Sequence, residues 1–123
     1  MTDVRVLVVD DVAAFLDAMV AVVGETPGFE IVGKASSGED ALVVAGAILP
    51  DLVLMDVKLP GIDGMEATQP LLTAGSAPLV LLLSTYDDDT GEQWAAECGA
   101  AAYINKAALA PECLTHAWFG AGD

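Results

Sequence analysis

The apolar residues of this chain fall into two kinds of segment. Val4-Arg5-Val6-Leu7-Val8-Val9, Leu52-Val53-Leu54-Met55 and Leu79-Val80-Leu81-Leu82-Leu83 are short, nearly continuous runs rich in branched side chains. Runs that do not alternate with polar residues read as strands covered on both faces, the condition of a parallel sheet. Two weaker runs, Glu30 to Ala35 and Ala101 to Asn105, predict flanking strands. Between the runs the spacing becomes helical. Val12, Phe15, Leu16, Met19, Val20 and Val23 recur at i, i+3 and i+4, and Gly24 follows as a stop. Ser37 with Asp40 three residues on resembles a capping box ahead of Ala41-Leu42-Val43-Val44. Thr90 is placed to cap a helix running to Cys98, with Gly99 just past its end. Pro111 suits the first position of a last helix carrying Leu114, Ala117 and Trp118. The segment from Met65 to Ala74 is the weakest helix, because Pro70 removes a donor in its middle and should break it. Strand and helix thus alternate five times. Right-handed crossovers predict an α/β fold, a doubly wound five-stranded parallel sheet with helices on both faces. No linker, repeat or low-complexity tract divides residues 1–123, which are expected to form a single domain.

Charge narrows the partners. The 123 residues hold 19 Asp and Glu against 4 Lys and Arg, a formal charge of −15, yet 54% of them are apolar. Such a chain can bury a core and is not a disordered acidic tail. Arg5, Lys34, Lys58 and Lys106 cannot build a basic patch, so no nucleic-acid binding is expected. An acidic surface also repels anionic lipid, and no apolar stretch approaches the roughly 18 residues of a membrane span. No signal peptide is visible, because Asp10 and Asp11 end the first apolar run. The expected location is the cytoplasm. Cys98 and Cys113 are read as small apolar residues, since neither a disulfide framework nor zinc-ligand spacing is present.

In open α/β sheets the site forms at the carboxyl ends of the strands, near the reversal of strand order. The first predicted strand ends in Asp10-Asp11, the third in Asp56, the fourth in Ser84-Thr85 and the fifth in Asn105-Lys106. The second ends in Ala35-Ser36-Ser37 without charge, which suits an edge position and the order 2-1-3-4-5. Three carboxylates would then converge beside one ammonium. Like charges that close are costly, and a hard divalent cation such as Mg²⁺ is the usual compensation. Glycine-rich phosphate loops are absent from the sequence. Any phosphate would therefore be held by metal, Lys106, a hydroxyl and backbone amides.

Four segments together resemble the signatures of response-regulator receiver domains of two-component signalling. They are Val8-Val9-Asp10-Asp11, Leu54 to Gly64, Leu83-Ser84-Thr85 and Tyr103-Ile104-Asn105-Lys106. The likeness spans essentially the whole chain, with 45 residues from Asp11 to Asp56, 28 more to Ser84 and 22 more to Lys106. Ser84-Thr85-Tyr86-Asp87-Asp88 is most similar to the NarL/LuxR-type branch. The resemblance implies a flavodoxin-like and CheY-like fold, with Asp56 as phosphoacceptor. It implies Mg²⁺ held by Asp10, Asp11, Asp56 and the backbone carbonyl of Lys58. Lys106 would pair with the phosphoryl group, Ser84 would be the switch hydroxyl and Tyr103 the switch aromatic that turns inward. Lys58 and Tyr86 fall where family members influence phosphoryl lifetime.

The implied partners are a histidine kinase or phosphotransfer protein, docking near Val12 to Phe15, and an unidentified downstream protein. The latter would meet the fourth helix, fifth strand and fifth helix. Homodimerisation stays open, as does whether the chain is complete or cut from a longer regulator. No enzyme activity is implied beyond self-catalysed phosphoryl transfer and autodephosphorylation. Several residues carry blander readings. Tyr103 alone would be a half-buried strand aromatic, Asp87, Asp88 and Asp89 a solvated loop, and His116 a surface helix residue. Trp94 and Trp118 are core residues or, if exposed, marks of a partner surface. Ala107 stands where a proline often follows the lysine. Two other functions fit parts of the pattern: a Mg²⁺-dependent phosphatase of the haloacid dehalogenase type, and a pseudo-receiver that binds without phosphorylation. The phosphatase would need an acid at position 58, which is Lys58.

Overall fold

Five parallel strands occupy the positions of the apolar runs. The computed structural model describes residues 3–75 and 77–120. The chain runs β1 (Val4–Val9), α1 (Ala13–Gly24), β2 (Phe29–Ala35), α2 (Gly38–Ile48), β3 (Leu52–Asp56), α3 (Gly64–Thr73), β4 (Leu79–Ser84), α4 (Asp88–Cys98), β5 (Ala102–Asn105) and α5 (Pro111–Gly120). A single 3₁₀ turn, Lys106–Ala108, joins β5 to the last helix. The sheet order is β2-β1-β3-β4-β5, all pairs parallel, as the uncharged end of β2 predicts.

Alternation along each strand divides the core into two layers. Leu7, Val9, Val53, Met55, Val80 and Leu82 face Ala41, Ala45, Ala67, Leu71, Ala95 and Cys98 of α2, α3 and α4. Their neighbours Val6, Val8, Leu52, Leu54, Leu81 and Leu83 face Met19, Val23 and Leu114 of α1 and α5. The three central strands are apolar at every core position because both faces are covered, which is why no alternation shows in the sequence. β5, at the edge, is half-buried throughout.

Three local expectations are corrected. Pro70 does not break α3, which runs unbroken through it from Gly64 to Thr73. The proline ring lies on the exposed side, while Ala67, Thr68 and Leu71 are buried. A capping box also secures the start, with Asp63 accepting from the Glu66 amide at 2.8 Å and Glu66 from the Asp63 amide at 3.0 Å. Packing and caps together outweigh the one lost donor. In α4 the cap is Asp87, not Thr90: the Asp87 carboxylate accepts from the Thr90 amide at 2.9 Å and its hydroxyl at 3.0 Å. Those two bonds hold the Asp87 carboxyl below its usual range. Asp88 and Asp89 are the first turn of the helix rather than loop, where acids suit the positive end of the helix dipole. Finally, Val12, just before α1, and Phe15 within it are exposed, although both belong to the apolar stripe; of that stripe only Met19 and Val23 are fully buried.

Candidate functional site

β1 and β3 pair in register, Val8 with Leu54 and Val9 with Met55, so their ends lie level. Asp10, directly after β1, is 1% exposed, and Asp56, the last residue of β3, is 2% exposed. Asp11 beside them is open to solvent. One carboxylate oxygen from each of Asp10, Asp11 and Asp56 lies within 4.8 Å of the others. The β3–α3 loop folds back tightly here, with the Gly64 amide donating to the Val57 carbonyl at 2.9 Å. A Cβ at Gly64 would collide with the Asp56 carbonyl, so only glycine lets α3 start this close to the strand end.

Lys106 enters from the 3₁₀ turn after β5. Its Nζ is 2.7 Å from Asp10 Oδ2 and 3.2 Å from Asp56 Oδ1, and its side chain is only 10% exposed. Asn105 shapes that turn by accepting from the Ala107 amide at 2.9 Å. Asp10 Oδ1 accepts from the Val12 amide at 3.0 Å. Its buried Oδ2 has the Lys106 charge but no aligned hydrogen bond. Burial, and after it the neighbouring charge of Asp10, push the Asp56 carboxyl up to about 6; Lys106 and the Lys58 amide pull in the opposite direction. Above the Lys106 ammonium lies the ring of Phe15, its centroid 4.0 Å from Nζ.

On the β4 side, Ser84 is buried. Its Oγ lies 2.8 Å from the Tyr103 hydroxyl and accepts from the Tyr86 amide at 3.1 Å. Tyr103 also bonds to the carbonyls of Ser84, at 3.1 Å, and Tyr86, at 2.7 Å. Its ring lies over Gly91 of α4, where any Cβ would strike it. Tyr103 is therefore turned in against α4. Lys58 is exposed, with Nζ 4.9 Å from the Tyr86 ring and 6.0 Å from that of Trp94; the two rings meet edge to face at 5.1 Å.

The sequence model of the response regulator receiver domain matches residues 6–117. The chain belongs to that family. It is 39% identical over 105 residues to the response regulator GacA of Pseudomonas viridiflava, covering 85% of this chain and 49% of that one. It is 34% identical to the transcriptional regulatory protein LiaR of Bacillus subtilis, covering 89% and 52%. It therefore spans about half the length of these curated relatives. Among solved structures it resembles the signal receiver domain of the response regulator NarL from Mycobacterium tuberculosis, with TM-score 0.88, 30% identity and coverage of 99% and 98%.

The strand-end reading of this receiver brings together Asp10, Asp11, Asp56 and Lys106, with Ser84 and Tyr103 joined to each other alongside. Position 58, where the phosphatase reading needs an acid, carries a lysine resting on aromatic rings. Trp94 and Trp118 are half-buried and His116 is exposed. Cys98 is buried but Cys113 only half-buried, its Sγ facing the Ala108 carbonyl. Three features went unread in the sequence. Phe15 fits both the apolar stripe and a docking face, yet its ring covers the Lys106 ammonium. Gly91 lies under the Tyr103 ring, and the contact among Lys58, Tyr86 and Trp94 joins separate loops and a helix. Only the helical spacing of Phe15 relative to Asp11, one turn away, could have flagged it.

No helix among the described residues is long and apolar enough to cross a membrane. The three carboxylates offer hard oxygen donors of the kind Mg²⁺ takes, two of them buried and one reachable from solvent. Asp10 Oδ2, buried without an aligned hydrogen bond, is a donor already desolvated for such an ion. The residues present fit Mg²⁺.

Proposed function

We propose that residues 1–123 form one receiver domain that takes a phosphoryl group on Asp56 and thereby switches a protein-binding face. The observation that carries this reading is the convergence of Asp10, Asp11, Asp56 and Lys106 at the carboxyl end of the sheet. An ionised Asp56 oxygen attacks phosphorus, and the bond to the donor breaks with its electron pair leaving on the donor atom. When bound, Mg²⁺ supplies charge to the equatorial phosphoryl oxygens. Asp10, Asp11, Asp56 and the Lys58 carbonyl would hold it. Lys106 neutralises a phosphoryl oxygen as a compact point charge. Ser84 donates a hydrogen bond to the same group, and its hold on Tyr103 links the site to α4.

The donor would be the phosphohistidine of a histidine kinase or phosphotransfer protein docking beside α1. The output is an altered α4–β5–α5 face for a downstream protein, in the cytoplasm, with no direct contact to nucleic acid. The chain's only chemistry would be its own phosphorylation and dephosphorylation. The test is incubation with Mg²⁺ and acetyl phosphate, followed by intact mass. A gain of one phosphoryl group that disappears in Asp56→Asn is expected. Absence of that gain, together with no Mg²⁺ binding by calorimetry, would sink the reading in favour of a pseudo-receiver.

A further inference from the structure

We infer that Phe15 is a positioning residue for Lys106: its ring holds the ammonium in the carboxylate cleft, so that phosphoryl uptake on Asp56 depends on an aromatic side chain at position 15. The inference rests on the phosphoacceptor reading above and adds a residue to it.

Lys106 stands on a flexible four-carbon stem, and its ammonium donates in three directions. Two neighbours are anions, Asp10 Oδ2 at 2.7 Å and Asp56 Oδ1 at 3.2 Å. A further one is the Phe15 ring, at 4.0 Å from centroid to Nζ, well inside the roughly 6 Å range at which a ring face attracts a cation. Burial shows what the ring does. The Lys106 side chain is 10% exposed while Phe15 is 38% exposed, so the ring is the wetter group and screens the charge behind it. An apolar residue left half in water at the start of a helix gains little from the core. Its partner is the cation.

The mounting of the ring reinforces the point. Phe15 is the third residue of α1, and the turn leading into that helix is tied down by the Val12 amide on Asp10 Oδ1 at 3.0 Å. One carboxylate thus anchors both the lysine and the helix that carries its aromatic cover. When Asp56 becomes occupied, the anion facing Lys106 moves outward from the carboxylate oxygen to a phosphoryl oxygen. A ring face tolerates that pivot, because its attraction for a cation is spread over the face, whereas a hydrogen-bond acceptor in the same place would resist it.

The experiment uses acetyl phosphate and Mg²⁺ with Phe15→Ala, Phe15→Leu and Phe15→Tyr, following phosphorylated mass against time. Wild type and Phe15→Tyr should react within about twofold of each other, and the Ala and Leu variants about five- to tenfold more slowly. Mg²⁺ affinity by calorimetry should vary less among the four than the rates do, because Phe15 carries no ligand atom; an affinity loss as large as the rate loss would place the defect in the metal site and overturn the inference. A small donor excludes the alternative that Phe15 merely touches a docked kinase. A Leu variant as fast as wild type, or a Tyr variant as slow as Leu, overturns the inference, and this pair decides even if the Ala variant folds poorly. A wild type that gains no phosphoryl group at all removes the phosphoacceptor reading itself, and the inference falls with it.

Discussion

Two lysines lie close to Asp56 along different routes, and both rest against aromatic rings, yet their surroundings are opposite. Lys106 is nearly buried, faces two carboxylates at 2.7 and 3.2 Å and has one ring above it. Lys58 is exposed and has two rings, at 4.9 and 6.0 Å, but no ion pair among the described residues. The same attraction between cation and ring therefore does different things. In the cleft, little water is left to solvate the ammonium, so each anion matters, and removing the cation strands two buried negative charges. In the open loop, water screens the charge and the rings only choose among rotamers. The lesson is that proximity to a ring says little about a lysine until its burial and counter-charges are known.

The sharpest way to break this contrast is to delete each ammonium in turn. Lys106→Met should destabilise the metal-free protein by about 3 kcal/mol near pH 7.5, because Asp10 and Asp56 lose their shared partner. Lys58→Met should change stability by less than about 1 kcal/mol. Urea unfolding measures both, and equal effects would show that the two lysines are energetically alike. The first penalty should shrink with Mg²⁺.

A change of pH tests the carboxylate side of the comparison. Asp56 is pushed from 3.8 to about 6, so between those values the folded chain binds more protons than the unfolded chain. Stability contributed by this group is then present below pH 4 and lost as pH rises through 6, by about 3 kcal/mol at most. The difference in unfolding free energy between wild type and Asp56→Asn, taken across that window, isolates the group from the other acids. A difference that does not vary with pH would remove the strained pair from the account. Millimolar Mg²⁺ should reverse the loss above pH 6. The smallest expected effect is on the loop side: Tyr86→Ala, which takes one ring from Lys58, should lower stability by about 0.5–1 kcal/mol and leave the Mg²⁺ titration unchanged.

The sheet and the positions of Asp10, Asp11, Asp56 and Lys106 were legible because apolar runs end abruptly, and a doubly wound parallel sheet brings those carboxyl ends to the same side. The order of strands followed from which end lacked charge. What escaped reading depended on contacts between elements. Asp87, Asp88 and Asp89 look like any solvated acidic run, and only the backbone shows that Asp87 receives the Thr90 amide and so starts α4. Pro70 argued correctly about a local donor but said nothing of the packing around Leu71 that holds α3 together. Phe15 fits the helical stripe of α1, yet it lies outside the core cluster and its ring meets the Lys106 ammonium instead.

The hydroxyls of Ser84 and Tyr103 have between them only two protons, and that count gives their contact a direction. The carbonyls of Tyr86 and Ser84, at 2.7 and 3.1 Å from the Tyr103 oxygen, can only accept, so the tyrosine proton goes to one of them. The Ser84 proton is then the one left to bridge the 2.8 Å gap to Tyr103. Ser84 thus stands as donor to the tyrosine and acceptor from the Tyr86 amide, with its one proton committed. A Ser84 hydroxyl that gives its proton to an anion can keep Tyr103 only by accepting the tyrosine proton instead, so the contact must reverse direction and the carbonyls lose that proton.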